Sequence, residues 1–421
     1  MTQTQAKLGV IADDFTGAVL VAGLLETEGV YCPILLDPQS DSVESAPVVM
    51  MATRSRTVAV AEALAEVGAA CARLERAGCQ QLAYKACASF DSTKDGNIGP
   101  VGDLLAQRAA RRPVLMSAGF PRFGATVHQG YLFYRTRLVS ESIKRFDPLT
   151  PMEDPDLVRF IGHQTPHSVG LISHLTMVAG AEATRAAFGE RLAEGFGHIL
   201  FDTSDDTDVE RSSEIAAATG LPVVASDPLI VGLAKRLAAE APRGPAYPSA
   251  PKGPVVTLAG STGPVIMRQL DVLGEAQPVL TLDLLAEGSL EAQIATALDW
   301  AAAQGNAGFA ISTACDVEAL ARSQAALGAL PAARRAEALL SGVTTGLRAR
   351  GHARFSVAGG ETSGAVVAAL GLGRLRALPE GALGTGECLS DDPAHPPCWL
   401  FLKPGKLGSD DILLRAALTE G

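Results

Sequence analysis

The chain has 421 residues, of which 47% are hydrophobic and 19% charged; this excludes a disordered chain and exceeds one ordinary core, since single cores stop growing at roughly 250–300 residues. A formal charge of −11 excludes a general nucleic-acid or anionic-membrane surface, which needs clustered Lys and Arg, yet leaves room for a local basic pocket that takes a small anion. Seven scattered cysteines form no Cys-x-x-Cys pair; with no basic-then-apolar leader and no apolar run near the ~18–20 residues of a membrane span, the expected setting is a reducing cytoplasm.

The pattern that recurs is an apolar run, a small or acidic turn and an Ala/Leu-rich amphipathic stretch, which reads as strand followed by helix. Leu8–Ala12 opens it and runs into Asp13-Asp14-Phe15-Thr16-Gly17-Ala18. A helix cap needs one short polar side chain, so two adjacent carboxylates leave one free to face a ligand. In a phosphoryl transfer such an Asp orients or deprotonates the attacking hydroxyl. Cys32–Leu36 and Val48–Ala52 follow, and the second of these ends in Thr53-Arg54-Ser55-Arg56. Guanidinium forks suit carboxylates and phosphates, although an Arg pair alone is more often a solvated turn.

A helical pattern over Val58–Arg76 leads to the strand Gln81–Lys85 and then to the most polar loop of the chain, Lys85 to Pro100, which carries Asp91, Ser92, Thr93, Lys94 and Asn97. Such a loop at a strand end is a better binding site than a plain connection. Strands at Val114–Ser117, Val169–Ser173, Ile199–Asp202 and Val223–Ser226, with helical patterns over Ala181–Leu192 and Asp208–Ala217, complete a mostly parallel sheet with helices on both faces. His128, in His128-Gln129-Gly130-Tyr131, has no evident partner and reads as structural; His163, His167 and His174 lack metal-ligand spacing.

From Ala241 to Pro254 there are five prolines and no apolar periodicity, which marks a linker between domains at 1–240 and 255–421. Beyond it Val255–Ala259, Val279–Leu282, Gly308–Ser312, Phe355–Ala358 and Trp399–Lys403 repeat the alternation, so the fold class is α/β with two such domains. Three of these strands end in glycine turns: Gly260-Ser261-Thr262-Gly263, Gly359-Gly360-Glu361-Thr362-Ser363-Gly364 and Lys403-Pro404-Gly405-Lys406-Leu407-Gly408. Any one is an ordinary strand-to-helix joint; three in one domain point to a nucleotide site, because glycine admits an oxyanion to the backbone. Neither the Walker spacing nor Gly-x-Gly-x-x-Gly is present, which ranks a dehydrogenase low.

At these residues the chain resembles the four-carbon acid sugar kinases over essentially its full length. Ala12–Ala18, Phe90–Pro100 with Lys85, and Gly359–Gly364 are similar to the family's three signature segments. The resemblance implies that the N-terminal domain binds the acid sugar and the C-terminal domain ATP, with magnesium, and that transfer occurs in the cleft between them. It sets Asp13 and Asp14, the candidate catalytic pair, toward the substrate without deciding which is the base, with Arg54, Arg56, Lys85, Asp91, Ser92 and Asn97 on the substrate, and Ser261, Gly359, Gly360, Glu361, Thr362, Ser363 and Gly405 on ATP. The form of the Phe90–Pro100 segment, Tyr131–Phe133 and Asp147–Met152 are most similar to the 3-oxo-tetronate kinase branch. Threonate, erythronate or a branched 3-oxo acid sugar is the alternative acceptor, and a non-catalytic ligand-binding protein is the second alternative. Relatives commonly carry an Asp where this chain has Leu20, and a different 403–408 loop. The partners implied are the small acid sugar and ATP, without nucleic acid or membrane; a homo-oligomer is left open.

Overall fold

In the computed structural model, residues 8–39, 46–147, 149–260, 263–381, 385–392, 395–405 and 407–419 are described. The chain divides into two units, Met1–Pro245 and Ala246–Gly421.

The first unit contains β1 (Leu8–Ala12), β2 (Pro33–Leu35), β3 (Val48–Ala52), β4 (Gln81–Lys85), β5 (Val114–Ser117), β6 (Ala125–His128), β7 (Tyr131–Tyr134), β8 (Arg137–Leu138), β9 (Val169–Ile172), β10 (His198–Phe201) and β11 (Val223–Ala225). Its large sheet has the order β2-β3-β1-β4-β11-β5-β10-β9, and the pairs between these strands are parallel. β1, β3, β4 and β5 are buried along their whole length, as strands covered by helices on both faces must be.

The helices alternate with these strands: α1 (Phe15–Thr27), α2 (Val60–Arg76), α3 (Ile98–Ala109), α4 (Leu157–Gly162), α5 (His174–Met177), α6 (Ala181–Ala193), α7 (Asp206–Thr219) and α8 (Asp227–Leu237). α1 is apolar nearly all round and buried from Phe15 to Glu26, whereas α2 buries the apolar stripe Ala63, Val67, Ala70, Cys71 and Leu74 together with Arg73, the 3.6-residue signature of a helix with one wet face. One core joins Ile11, Val67, Leu74, Phe90, Ile98, Met116 and Leu200.

The separate β6-β7-β8 sheet is antiparallel. Its first turn is Gln129-Gly130, with φ of +51° and +80°, the mirror-image two-residue turn that matches strand twist.

The segment after α8 carries neither helix nor strand until β12. The second unit contains β12 (Val256–Ala259), β13 (Val279–Thr281), β14 (Phe309–Ser312), β15 (Arg354–Ala358), β16 (Arg374–Ala377), β17 (Gly386–Ser390) and β18 (Trp399–Lys403), with α9 (Pro264–Gly274), α10 (Leu290–Ala302), α11 (Val317–Leu327), α12 (Ala329–Ala349), α13 (Gly360–Leu370) and α14 (Ile412–Ala417). Its sheet order is β13-β14-β12-β15-β18-β17-β16. The first five strands are parallel and the last two turn antiparallel. Both units are therefore α/β sheets flanked by helices.

β16 and β17 have no counterpart among the strands read from the sequence. β16 reads Arg-Leu-Arg-Ala, an alternating polar and apolar strand that a search for continuous apolar runs passes over. Its buried Arg376 lies over the Tyr247 ring at 4.5 Å. Among the described residues no helix is long and apolar enough to cross a membrane.

Candidate active site

The strand ends of the first unit lie level. Ala12 pairs with Ala52 and with Lys85, and Lys85 with Ala225. The next amides continue the ladder, with Asp13 N donating to Lys85 O at 3.0 Å, Thr53 N to Ala12 O at 3.0 Å and Ala86 N to Ala225 O at 2.9 Å. Four turns thus open side by side at the carboxyl end of the sheet, where open α/β sheets take their ligands.

Charge gathers there. Arg56 donates from Nε and Nη2 to the two oxygens of Asp13, at 2.8 and 2.7 Å, and from Nη1 to Asp14 Oδ2 at 2.6 Å. Asp14 also caps α1 by accepting from Gly17 N. Burial pushes the Asp14 carboxyl up, but the Arg56 and Lys85 charges and the Gly17 amide outweigh it and hold the carboxyl below its ordinary value. Burial also works against the Arg56 charge, and Asp13 and Asp14 overcome it to raise its pKa. Gly17 is required by this packing, since a Cβ there would stand 2.4 Å from Lys85 Nζ and 2.6 Å from Asp14 Oδ1. Lys85 is itself buried, with Asp227 Oδ2 3.9 Å away.

Asp91 accepts from Ser89 Oγ and Lys144 Nζ, both at 2.7 Å. Burial raises its pKa, yet these partners bring it down to about 2. Phe90 takes a left-handed backbone, φ +46°, unusual for a bulky side chain and held by a ring that is fully buried in the core. Cys87 lies in the same loop and accepts from Asp91 N at 3.1 Å; burial pushes its thiol up to about 11.

Asn97 donates from Nδ2 to the carbonyls of Ser55, Arg56 and Val58, at 2.7, 3.3 and 3.0 Å. Its side chain holds the Arg56 turn in place. Ser92 Oγ accepts from Gln164 Nε2 at 3.2 Å, and Gln164 Oε1 accepts from Gly99 N at 2.9 Å. A Cβ on Gly96 would stand 2.0 Å from Ser92 Oγ, and one on Gly99 2.7 Å from Gln164 Cβ, so the spacing of this segment's glycines follows from close packing. Arg54 is half-buried, and its amide donates to Glu66 at 2.9 Å.

The structure therefore brings Asp13, Asp14, Arg56 and Lys85 into one cluster, stands Asp91 beside it, and turns Ser92 and Asn97 to holding the loops. Leu20 packs with Leu24 and Phe120 in a small apolar cluster. Sequence reasoning missed Asp227, Lys144 and Gln164. Ser226-Asp227-Pro228 following a strand was a usable signal for the first; Lys144 and Gln164 lie far along the chain in segments without periodicity and left none.

The histidines hold a surprise. His174, Asp205 and Asp208 bring ligand atoms within 4.8 Å of one another, a grouping that a separation of some thirty residues hides. His174 Nδ1 bonds Asp208 at 3.0 Å, Ser204 N donates to Asp208 at 2.7 Å, and Asp205 caps α7. These groups already serve one another as a local brace.

In the second unit the ends of β12, β15 and β18 are level, with Ala259 opposite Ala358 and Ala358 opposite Lys403. Gly260 N donates to Ala358 O at 3.2 Å and Gly359 N to Lys403 O at 2.9 Å. Gly359, φ +123°, precedes α13, and Gly360, Glu361, Thr362 and Ser363 form the helix's first turn. Ser363 Oγ donates back to Gly359 O at 2.8 Å. Gly405 is buried in the turn after β18. Ser261 lies outside the described residues. The amides at a glycine-lined helix start fit the phosphates of a nucleotide.

A Cβ on Gly260 would stand 2.3 Å from Thr362 Oγ1 and 3.0 Å from Leu340 Cδ1. Gly260→Ala is therefore expected to push the first turn of α13 aside and weaken ATP binding at least ~10-fold, leaving acid-sugar affinity unchanged. Titration calorimetry with each ligand checks it, and equal loss for both ligands would mean general misfolding instead.

Residues 8–233 match the Sugar-binding N-terminal domain family and residues 256–413 the Nucleotide-binding C-terminal domain family. The chain is 33% identical to the 3-oxo-tetronate kinase of Salmonella typhimurium, over 97% of this chain and 98% of that protein. It is 35% identical to that of Burkholderia multivorans and 37% to that of Pseudomonas fluorescens, each over 97% of this chain and 96% of the relative. A crystal structure from Salmonella typhimurium LT2, labelled a tRNA synthase, superposes with a TM-score of 0.83 at 33% identity, covering 99% of this chain and 100% of that one. A Haemophilus influenzae structure does so at 0.73 and 29%, covering 97% and 98%. The chain belongs to the four-carbon acid sugar kinase family, in its 3-oxo-tetronate kinase branch.

Proposed function

We propose that this chain is an ATP-dependent kinase that phosphorylates a hydroxyl of 3-oxo-tetronate. The observation that carries the reading is the Asp13–Arg56–Asp14 cluster at the level strand ends of the first unit, in a chain similar from end to end to 3-oxo-tetronate kinases. The first unit takes the acid sugar. We assign Arg54, Arg56 and Asp91 to the acid sugar, with Lys85, Ser92 and Asn97 supporting them. The second unit takes ATP on the glycine turns at Gly359–Ser363 and Gly405.

Of the adjacent carboxylates, Asp13 has 4% of its side chain exposed and Asp14 17%, so Asp14 is the one a hydroxyl reaches. With its pKa depressed, Asp14 is ionised at neutral pH and acts first as a hydrogen-bond acceptor that aims the hydroxyl. The acceptor oxygen then bonds to the γ-phosphorus, the bond to the ADP oxygen breaks, and the hydroxyl proton leaves by way of the carboxylate. Magnesium travels with the nucleotide and offsets its charge. The overall charge of −11 argues against a nucleic-acid surface.

A coupled ADP-release screen tests the reading, run with and without magnesium over 3-oxo-tetronates, threonate, erythronate and branched five-carbon analogues. Magnesium-dependent turnover selective for a 3-oxo-tetronate is the expected outcome. ATP binding with no acid-dependent ADP release across the panel would overturn it.

A further inference from the structure

Lys403 ends β18 with no exposed surface. Its Nζ donates to the carbonyl of Pro404 at 2.8 Å, and among the described residues it forms no ion pair. Three cations of the first unit differ, since Arg56 has Asp13 and Asp14, Lys85 has Asp227, and Lys144 has Asp91. Charged groups on the elements around it, Arg354 on β15, Glu387 on β17, Glu361 on α13 and Arg268 on α9, make no contact with the ammonium, and burial alone pulls its pKa down to about 8. An ammonium removed from water without a counter-charge is costly unless an anion is to arrive.

Its position says which anion. Lys403 O accepts from Gly359 N at 2.9 Å, so the lysine adjoins the turn that opens α13, and buried Gly405 follows two residues later. Among the described residues of the turns after β12, β14, β15 and β18, the side-chain charges are those of Asp316, Glu361, Asp410, Asp411 and Lys403. A nucleoside triphosphate meeting these turns needs a cation, and among their described residues Lys403 is the one present.

We propose that Lys403 is the phosphate-binding cation of the nucleotide site; this rests on the kinase reading above. Binding then takes up a proton from solvent. In the free protein the ammonium is complete well below pH 8 and is lost as pH rises through about 8; phosphate contact raises the pKa, so uptake is absent at low pH and grows as the pH passes 8.

The experiment is calorimetric titration of ATP into the full chain at about pH 8.5, where ATP's own phosphates no longer titrate, in buffers of different ionisation heat. Proton uptake by the wild type is expected, with none at about pH 6.5. Lys403→Met is expected to abolish the uptake and weaken ATP binding at least ~10-fold, to leave acid-sugar binding unchanged, and to melt no lower than wild type without ligand, because it removes a buried charge. ATP binding without uptake, or wild-type affinity in Lys403→Met, overturns the role of the lysine. If Lys403→Met fails to fold, the wild-type uptake still decides. A wild type that binds no ATP at all sinks the kinase reading itself.

Discussion

Arg56→Met is expected to destabilise the first unit by about 3–5 kcal/mol and to abolish turnover, because it strands two carboxylates on one side of a buried ion cluster. Asp13 is 3% exposed and spends both oxygens on this guanidinium. Methionine restores much of the volume but none of the five donors. Asp14 adds a pH signature. Its pKa is lowered in the fold, so its contribution to stability is present above the unfolded carboxylate value and disappears as pH falls through the folded one. In Arg56→Met that acid-side dependence should shrink. Urea unfolding of both proteins across the acid range measures it, with Asp13→Asn added to Arg56→Met as the partial rescue that charge stranding predicts. A loss below ~1 kcal/mol would show that the cluster contributes little to stability.

Asp14→Asn is expected to lower kcat at least ~100-fold while ATP affinity stays near its wild-type value. The substitution is close to isosteric. The amide oxygen can still accept from Gly17 N, and Arg56 keeps both contacts to Asp13, so the helix cap and the loop survive. What is lost is the negative charge that aims the acceptor hydroxyl. Steady-state kinetics with acid sugar and ATP varied separately distinguishes this from a binding defect, and near-normal kcat would remove Asp14 from the catalytic set.

Most of the first unit's sheet was readable because parallel strands buried on both faces are written as continuous apolar runs. Leu8–Ala12, Val48–Ala52, Gln81–Lys85 and Val114–Ser117 match their expected limits to the residue. Strands with a wet or mixed face were read unevenly, with β9 and β13 expected and β6 and β16 not. β16 alternates Arg with apolar residues, and β6 has half-buried positions at Thr126 and His128. The site divides along similar lines. Asp13, Asp14 and Arg56 were visible because each lies in a turn at a strand end, and level strand ends bring such turns together. Lys144 was invisible because it reaches Asp91 across 53 residues of chain from a short 3-10 segment, and neither periodicity nor a turn rule records such a meeting. Asn97 could be seen as polar and near the site, but that its amide is spent on three carbonyls depends on where the Arg56 turn comes to rest.

That amide has a consequence for how this protein can be redesigned. By joining the turn after β3 to the start of α3, Asn97 makes residues 55–58 and 97–99 a single inherited part. A chimera that borrows the arginine turn from a relative of different substrate range, while keeping its own Gly96-Asn97-Ile98-Gly99 segment, would seat a foreign loop on a fitted latch. Libraries aimed at new acid sugars should therefore exchange the two stretches together and leave variation to positions such as Leu20, which packs with Leu24 and Phe120.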